Sequence, residues 1–246
     1  MNDTTNDTLK DRVILVTGAG QGIGRAAAKI FAAHGATVIL LGRSTPKLEK
    51  VYDEIIEAGG PMPAIFPMDL EKAADQDFET LAQTIGYQLR RLDGILHCAA
   101  NFARPSPLGL QTVDQWQALF KVNATAPFAI NRSCLPLLKS APDASVILIG
   151  ESHGHAPKAY WGGFAASKAA LEAYFRIQAE EWEDADAPRI NLVIPGPINS
   201  PQRTQSHPGE AKDTLPQPQD LAIDLLRLMG PDGRNSRGQI IFFNKA

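Results

Sequence analysis

Seven short runs of apolar, β-branched-rich residues recur along this chain of 246 residues, and amphipathic segments separate them. The runs cover residues 13–16, 37–41, 64–67, 94–97, 145–149, 190–194 and 239–243. A strand wet on one face alternates polar and apolar side chains, whereas most of these runs are apolar throughout. That is the pattern of a parallel sheet covered by helices on both faces. Between the runs, Leu48, Val51, Ile55 and Ile56 fall at helical spacing, as do Phe78, Leu81, Ile85, Leu89 and Leu92. The alternation predicts an α/β fold: one doubly wound domain over residues 1–246, with a mostly parallel seven-stranded sheet, right-handed crossovers and helices on both faces. No internal repeat and no Gly/Ser-rich linker divides it.

One stretch breaks the rhythm. Residues 199–219 are polar and carry Pro201, Pro208, Pro216 and Pro218. The expectation is a long irregular loop serving as a substrate lid, because long loops in compact domains are functional or disordered.

Charge and cysteine usage remove several function classes. With 24 Lys+Arg against 27 Asp+Glu the net charge is −3, so no nucleic-acid surface is expected. No apolar run approaches the roughly 18 residues of a membrane span, so no membrane partner is expected. Cys98 and Cys134 have no metal-ligand spacing, which argues against both a zinc site and a disulfide scaffold. The first twelve residues are polar and show no signal-peptide core. The expectation is a cytoplasmic protein acting on a small-molecule substrate, with no metal.

The first run leads into Thr17-Gly18-Ala19-Gly20-Gln21-Gly22-Ile23-Gly24, with a helix expected from Arg25. Glycines permit a tight turn and bring backbone N–H groups close to a pyrophosphate, and the following helix adds donors and a positive dipole end. A ligand-free glycine turn is the alternative, but a strand before, a helix after and a second strand beyond match the dinucleotide-binding context. Gly18, Gln21, Gly22, Ile23 and Gly24 are therefore cofactor-binding candidates. The second run ends Leu40-Leu41-Gly42-Arg43-Ser44, with no acid to accept from a ribose 2′-hydroxyl. Arg43 and Ser44 can instead hold a 2′-phosphate, which favours NADP over NAD. A surface arginine without a role is the alternative.

Read together, these residues resemble the short-chain dehydrogenase/reductase family from about Leu9 to Phe243, and within it the bacterial YciK-like oxidoreductases. Leu40-Leu41-Gly42-Arg43, Leu92-Asp93-Gly94 and Trp161-Gly162 carry the subgroup likeness. The resemblance implies one Rossmann-type domain and a homodimer or homotetramer. It implies hydride transfer between a nicotinamide and a carbonyl or alcohol carbon. It places Asp69 and Leu70 at the adenine, and it sets Ala99 and Ala100 in His97-Cys98-Ala99-Ala100 after the fourth strand. Pro195, Gly196 and Ile198 resemble the family's Pro-Gly turn. Asn123 resembles the asparagine that organises a proton-relay water, and Lys168 the lysine that contacts cofactor and lowers the tyrosine pKa.

At the centre the chain departs from the family. Ala165-Ala166-Ser167-Lys168 sets the register, so Phe164 occupies the tyrosine position and Glu151, thirteen residues earlier, the serine position. Phenylalanine has no proton to donate, and an ionised Glu151 repels charge developing on a carbonyl oxygen. Three substitutes stay open: Ser152 in the serine role, Tyr160 swinging in, or Glu151 itself as acid or base. Glu151 paired to Lys168, closing the pocket, is the structural alternative. His153 and His155 are expected as solvated loop histidines, His97 as a packed strand-end residue, and Cys98 as a small buried hydrophobe. Three functions remain. They are an NADP-dependent oxidoreductase with altered catalytic residues and weak or changed activity, a catalytically silent NADP(H)-binding sensor or oligomer partner, and different chemistry built on Glu151 and Lys168.

Overall fold

The computed structural model describes residues 7–184 and 186–243. Its strands are β1 (Val13–Thr17), β2 (Thr37–Gly42), β3 (Ala64–Pro67), β4 (Gly94–His97), β5 (Ser145–Ile149), β6 (Arg189–Ile194) and β7 (Ile240–Phe242). They form one sheet in the order β3-β2-β1-β4-β5-β6-β7, with every neighbouring pair parallel. The helices are α1 (Gly22–Ala33), α2 (Thr45–Glu57), α3 (Asp75–Leu89), α4 (Val113–Phe120), α5 (Ala126–Ser140), α6 (Ser152–His155), α7 (Gly162–Glu181), α8 (Pro201–Ser206) and α9 (Pro218–Met229).

The wholly apolar strands are explained by two cores, one on each face of the sheet. Along β1, Val13 and Leu15 pack with Phe78, Leu81, Ile130, Leu171 and Phe175 beneath α3, α5 and α7. Their neighbours Ile14 and Val16 pack with Phe31, Leu48, Val51 and Leu225 beneath α1, α2 and α9. Side chains alternate across a strand, so a run buried on both faces is apolar except where a buried polar residue such as Asn191 finds a hydrogen-bond partner.

Several sequence expectations need correction. Helix α1 starts at Gly22, three residues before Arg25, so the last glycines of the turn are already helical. Leu92 lies beyond α3, because Arg90 takes a left-handed conformation (φ 63°) and ends the helix. Ile56 faces solvent, being 41% exposed. β7 is shorter by a residue at each end and only half-buried, as an edge strand can be. β6 starts one residue early, at Arg189. Residues 199–219 are not irregular throughout: they contain α8 and a 3-10 turn at Lys212–Thr214, and α9 starts inside the stretch at Pro218. Pro201 and Pro218 stand in the first turns of α8 and α9, where a missing N–H is harmless. Two of the four prolines that read as loop markers are helix starters.

Arg189 escapes a propensity reading because its partners are remote in sequence. It is 2% exposed and pairs with Asp143, which also accepts from Arg12 Nη2 at 2.8 Å and Arg234 Nε at 3.3 Å. Arg189 Nη2 reaches the carbonyls of Leu228 and Gly230, and Arg12 Nη1 that of Met229. This cluster ties the starts of β1, β5 and β6 to the end of α9, at the opposite end of the sheet from the strand C-termini. Asp143→Ala leaves a buried guanidinium without its carboxylate and is expected to cost about 3–5 kcal/mol in urea unfolding. A loss below about 1 kcal/mol would show that the carbonyls alone satisfy the arginines.

Candidate active site

The order of the sheet reverses between β1 and β4, and a crevice opens beyond the C-terminal ends of strands at such a switch point. Here it is a cleft of about 380 Å³, inside the usual range of roughly 300–1,000 Å³ for ligand pockets. Its mouth is held by a polar tie. Thr17 Oγ1 accepts from the N–H groups of Cys98 at 3.1 Å and Ala99 at 3.0 Å. Gly18, at φ 67°, packs so closely that a Cβ there would lie 2.8 Å from the Ala99 backbone. A Cβ on Gly24 would lie 2.4 Å from the Gly18 carbonyl oxygen. Gly24 is thus a packing glycine that does not line the cleft, which corrects its expected role as a direct contact. Gly22 (φ 55°) and Gly196 (φ 63°) lie on the cleft wall, where the left-handed backbone rather than crowding favours glycine.

The other expected cofactor residues, Gly18, Gln21, Ile23, Arg43, Ser44, Asp69, Leu70, Ala99, Ala100, Lys168, Pro195 and Ile198, all line this one cleft. The donors suit a phosphorylated dinucleotide. Arg43 is exposed and has no hydrogen-bond partner among the described residues, and Ser44 stands at the N-cap of α2 without using its hydroxyl to cap it. A cation, an uncommitted hydroxyl and a helix N-terminus converge there. Asn101, Phe102, Trp161 and Arg203 complete the walls. Sequence reasoning gave none of them a site role, although Asn101 and Phe102 directly follow Ala99-Ala100.

The reacting end is built on α7 and the turn after β5. Phe164 is 1% exposed, with Phe102 edge-on at 5.0 Å and Trp161 at 6.1 Å. One turn on, Lys168 is 5% exposed and its Nζ donates to the Ile149 carbonyl at 2.8 Å. Burial pulls this amine down to about 8, while Cys98 and Glu151 act weakly the other way. Helix α6 packs directly on α7 through Gly154, where a Cβ would lie 2.6 Å from that of Lys168.

Glu151 is not paired with Lys168, so the closed-pocket alternative does not describe this structure. Its carboxylate caps α6, accepting from the His153 N–H at 2.6 Å and meeting His153 Nδ1 at 3.1 Å. His153 lies flat on Trp161, ring centroids 3.6 Å apart and planes within 12°. His155 meets Glu172 Oε2 at 3.0 Å. Both lie in α6 and meet carboxylates, a correction to loop histidines, although His155 stays exposed to solvent. Ser152 lines the cleft, and its hydroxyl has no hydrogen-bond partner among the described residues. Tyr160 is 61% exposed outside the cleft, which removes it as a substitute in this conformation.

Asn123 lies in a π-helical turn, Lys121–Thr125, that continues α4. Its side chain clamps Asn101, accepting from its N–H at 2.7 Å and donating to its carbonyl at 2.9 Å, and also donates to Ser167 Oγ. The side chain thus positions the loop after β4. His97 is packed at the end of β4 against Asn131 Oδ1 at 2.8 Å, and burial pushes it down to about 4. Cys98 is pushed up to about 12, chiefly by burial, so it carries no thiolate near neutral pH.

This arrangement defines a nucleotide-cleft protein of the doubly wound α/β class. The short chain dehydrogenase family matches residues 12–211. The oxidoreductase YciK of Escherichia coli (strain K12) is 39% identical over 232 residues, covering 94% of this chain and 91% of YciK. A short chain dehydrogenase of Escherichia coli CFT073, solved with NADPH, superposes at TM-score 0.93 with 38% identity over 96% of this chain and 98% of that one. The crystal structure of yciK from E. coli gives 0.92 at 38% identity, covering 96% of each chain. The chain belongs to the short-chain dehydrogenase family, in its YciK-like subgroup.

The buried amine makes a stability prediction. Its folded value, about 8, lies below the unfolded 10.5. Between those pH values the unfolded chain holds the extra proton, so raising pH favours the folded state. Wild type is expected to gain on the order of 3 kcal/mol relative to Lys168→Met between pH 8 and 10.5, with the cysteines titrating in both chains. Parallel stability curves for the two proteins would mean that the amine is solvated.

Proposed function

We propose that the cleft binds NADP(H) and that the protein is an oxidoreductase for a carbonyl or alcohol whose proton-transfer apparatus is altered, so that ordinary carbonyl reduction is slow. The observation that carries this is Phe164, buried one turn before Lys168 where the family has its tyrosine. The bound cofactor supplies the hydride from its nicotinamide. In this reading Gly18, Gln21, Gly22, Ile23 and the start of α1 hold the pyrophosphate, and Arg43 and Ser44 the 2′-phosphate. Asp69 and Leu70 flank the adenine, Lys168 orients the ribose, and Ala99, Ala100, Pro195, Gly196 and Ile198 wall the nicotinamide end. Support comes from their convergence on one cleft and from the relative that was solved with NADPH.

Without the phenol, Lys168 has no hydroxyl to activate. Loss of a positioned general acid is worth roughly 10²–10⁴ in rate, about 3–5 kcal/mol of barrier. Glu151 adds a carboxylate where a neutral donor would assist the carbonyl oxygen. The silent NADP(H)-binding reading is the alternative that Phe164 also supports. It differs in predicting cofactor binding with no turnover.

Two measurements test the proposal. NADPH is expected to bind more tightly than NADH, and Arg43→Ala to weaken NADPH by about 1.5–3 kcal/mol while leaving NADH unchanged. Equal affinities in both proteins would refute the 2′-phosphate assignment. In NADPH oxidation over aldehydes, ketones and quinones, Phe164→Tyr with Glu151→Ser is expected to exceed wild type, and Phe164→Tyr alone to gain less. A brisk wild type that the tyrosine leaves unchanged or slows counts against the altered-apparatus reading.

A further inference from the structure

A 2′-phosphate carries about two negative charges near neutral pH, as phosphate monoesters do, and Arg43 brings a single positive charge to it. Among the described residues three other cations line the cleft: Lys47, Lys168 and Arg203. Lys168 is buried at the reacting end on the Ile149 carbonyl, and Arg203 gives Nε and Nη2 to the carboxylate of Glu210 at 2.5 and 2.6 Å. Lys47 is different. Its ammonium meets a neutral amide, donating to Gln21 Oε1 at 2.6 Å, and it has no carboxylate partner among the described residues. We propose that Lys47 is a second cation for the 2′-phosphate of NADP(H), steered by the Gln21 side chain, and that with Arg43 it sets the preference for the phosphorylated cofactor. The proposal rests on the NADP(H) reading above.

The topology puts these groups together. β1 and β2 are parallel neighbours, so the glycine turn after β1 and the start of α2 after β2 emerge side by side. Gln21 stands on the first of these segments, and Arg43 and Ser44 lead into the second. Lys47 bridges them. Its stem leaves α2 against Gly20, where a Cβ would lie 2.9 Å from that of Lys47. Gly20 is not in the left-handed region, so the crossing lysine rather than backbone conformation is what requires glycine there. All five residues line the one cleft. An ammonium has three donors, and the bond to Gln21 leaves two for an anion.

Helix stability gives no reason for a lysine at this place. Lys47 stands in the first turn of α2, where the positive end of the macrodipole favours acids and disfavours cations, and that turn carries no acid. The backbone of the same turn has little to give a phosphate. Pro46 has no N–H, and the N–H of Lys47 donates to the Ser44 carbonyl at 3.1 Å. Side chains therefore have to hold the anion. A bound 2′-phosphate offsets three positive groups at once: the ammonium, the guanidinium and the helix end.

The test uses the full-length protein, fluorescence titration with NADPH and NADH, and displacement of bound NADPH by 2′,5′-ADP and by 5′-ADP. Lys47→Met keeps the stem beside Gly20 and removes the ammonium. It is expected to weaken NADPH and 2′,5′-ADP roughly 10- to 100-fold, while NADH and 5′-ADP stay within a factor of about two. Lys47→Arg should keep the preference. Gln21→Glu, which pins the ammonium and sets a carboxylate beside the phosphate, should weaken NADPH more than NADH. Lys50→Met, on the same helix but outside the cleft, should change neither. Lys47→Gln stands in if the methionine variant does not fold. Unchanged NADPH affinity in the Lys47 variants, with Arg43→Ala still weakening it, overturns the proposal and leaves the 2′-phosphate with Arg43 alone. Equal weakening of NADPH and NADH also overturns it, because Lys47 then serves what the two cofactors share. Equal affinity of wild type for the two refutes the NADP(H) preference itself and the lysine's role with it.

Discussion

The close approach of two backbones at the switch point is the constraint on which the site depends. Thr17 Oγ1 joins the loop after β4 to the end of β1, and Gly18 leaves no space for a side chain between them. Because β1 and β4 are neighbours whose connections run outward in opposite directions, the helices on either side cannot close over this point. The result is one deep cleft. Everything with chemical potential then has to come from strand ends, where chain direction changes and backbone groups are free of the sheet ladder.

The two ends of the sheet solve opposite problems. At the N-terminal end of the strands, buried charge is paired: Asp143 gathers Arg12, Arg189 and Arg234, and the arginines also reach carbonyls of α9 and the turn beyond it. That end anchors. At the C-terminal end, Lys168 is buried with a single carbonyl for company and an amine pulled down by burial. A lone buried amine is a poor way to stabilise a fold, since desolvation of an unpaired charge is unfavourable.

The substitution of phenol by phenyl changes more than one atom. Phe164 joins Phe102 and Trp161 in a packed aromatic wall, and Trp161 in turn carries the ring of His153. Glu151 sits within the same unit as the cap of α6. The two departures from the family pattern are thus linked through Trp161, which meets Phe164 directly and Glu151 by way of His153.

Local composition carried a good deal of this. The strands were legible because burial on both faces makes most of their positions apolar, and β3, β4 and β5 fall at the bounds their composition indicates. The glycine turn was legible because positive φ and close approach admit little else, and Phe164 because helical register fixes its place before Lys168. Other features needed the third dimension. Arg189 reads as a solvent-seeking residue until Asp143, forty-six positions away, is brought against it. The prolines of residues 199–219 read as breakers, yet two of them start helices, since a first turn needs no N–H. The fate of Glu151 was open between acid, base and partner of Lys168, because sequence spacing says nothing about which of two nearby cations or rings a carboxylate will face. Packing of α6 on α7 through Gly154, and of His153 on Trp161, made that choice: a periodicity records which face is buried, and only the folded chain decides what meets it there.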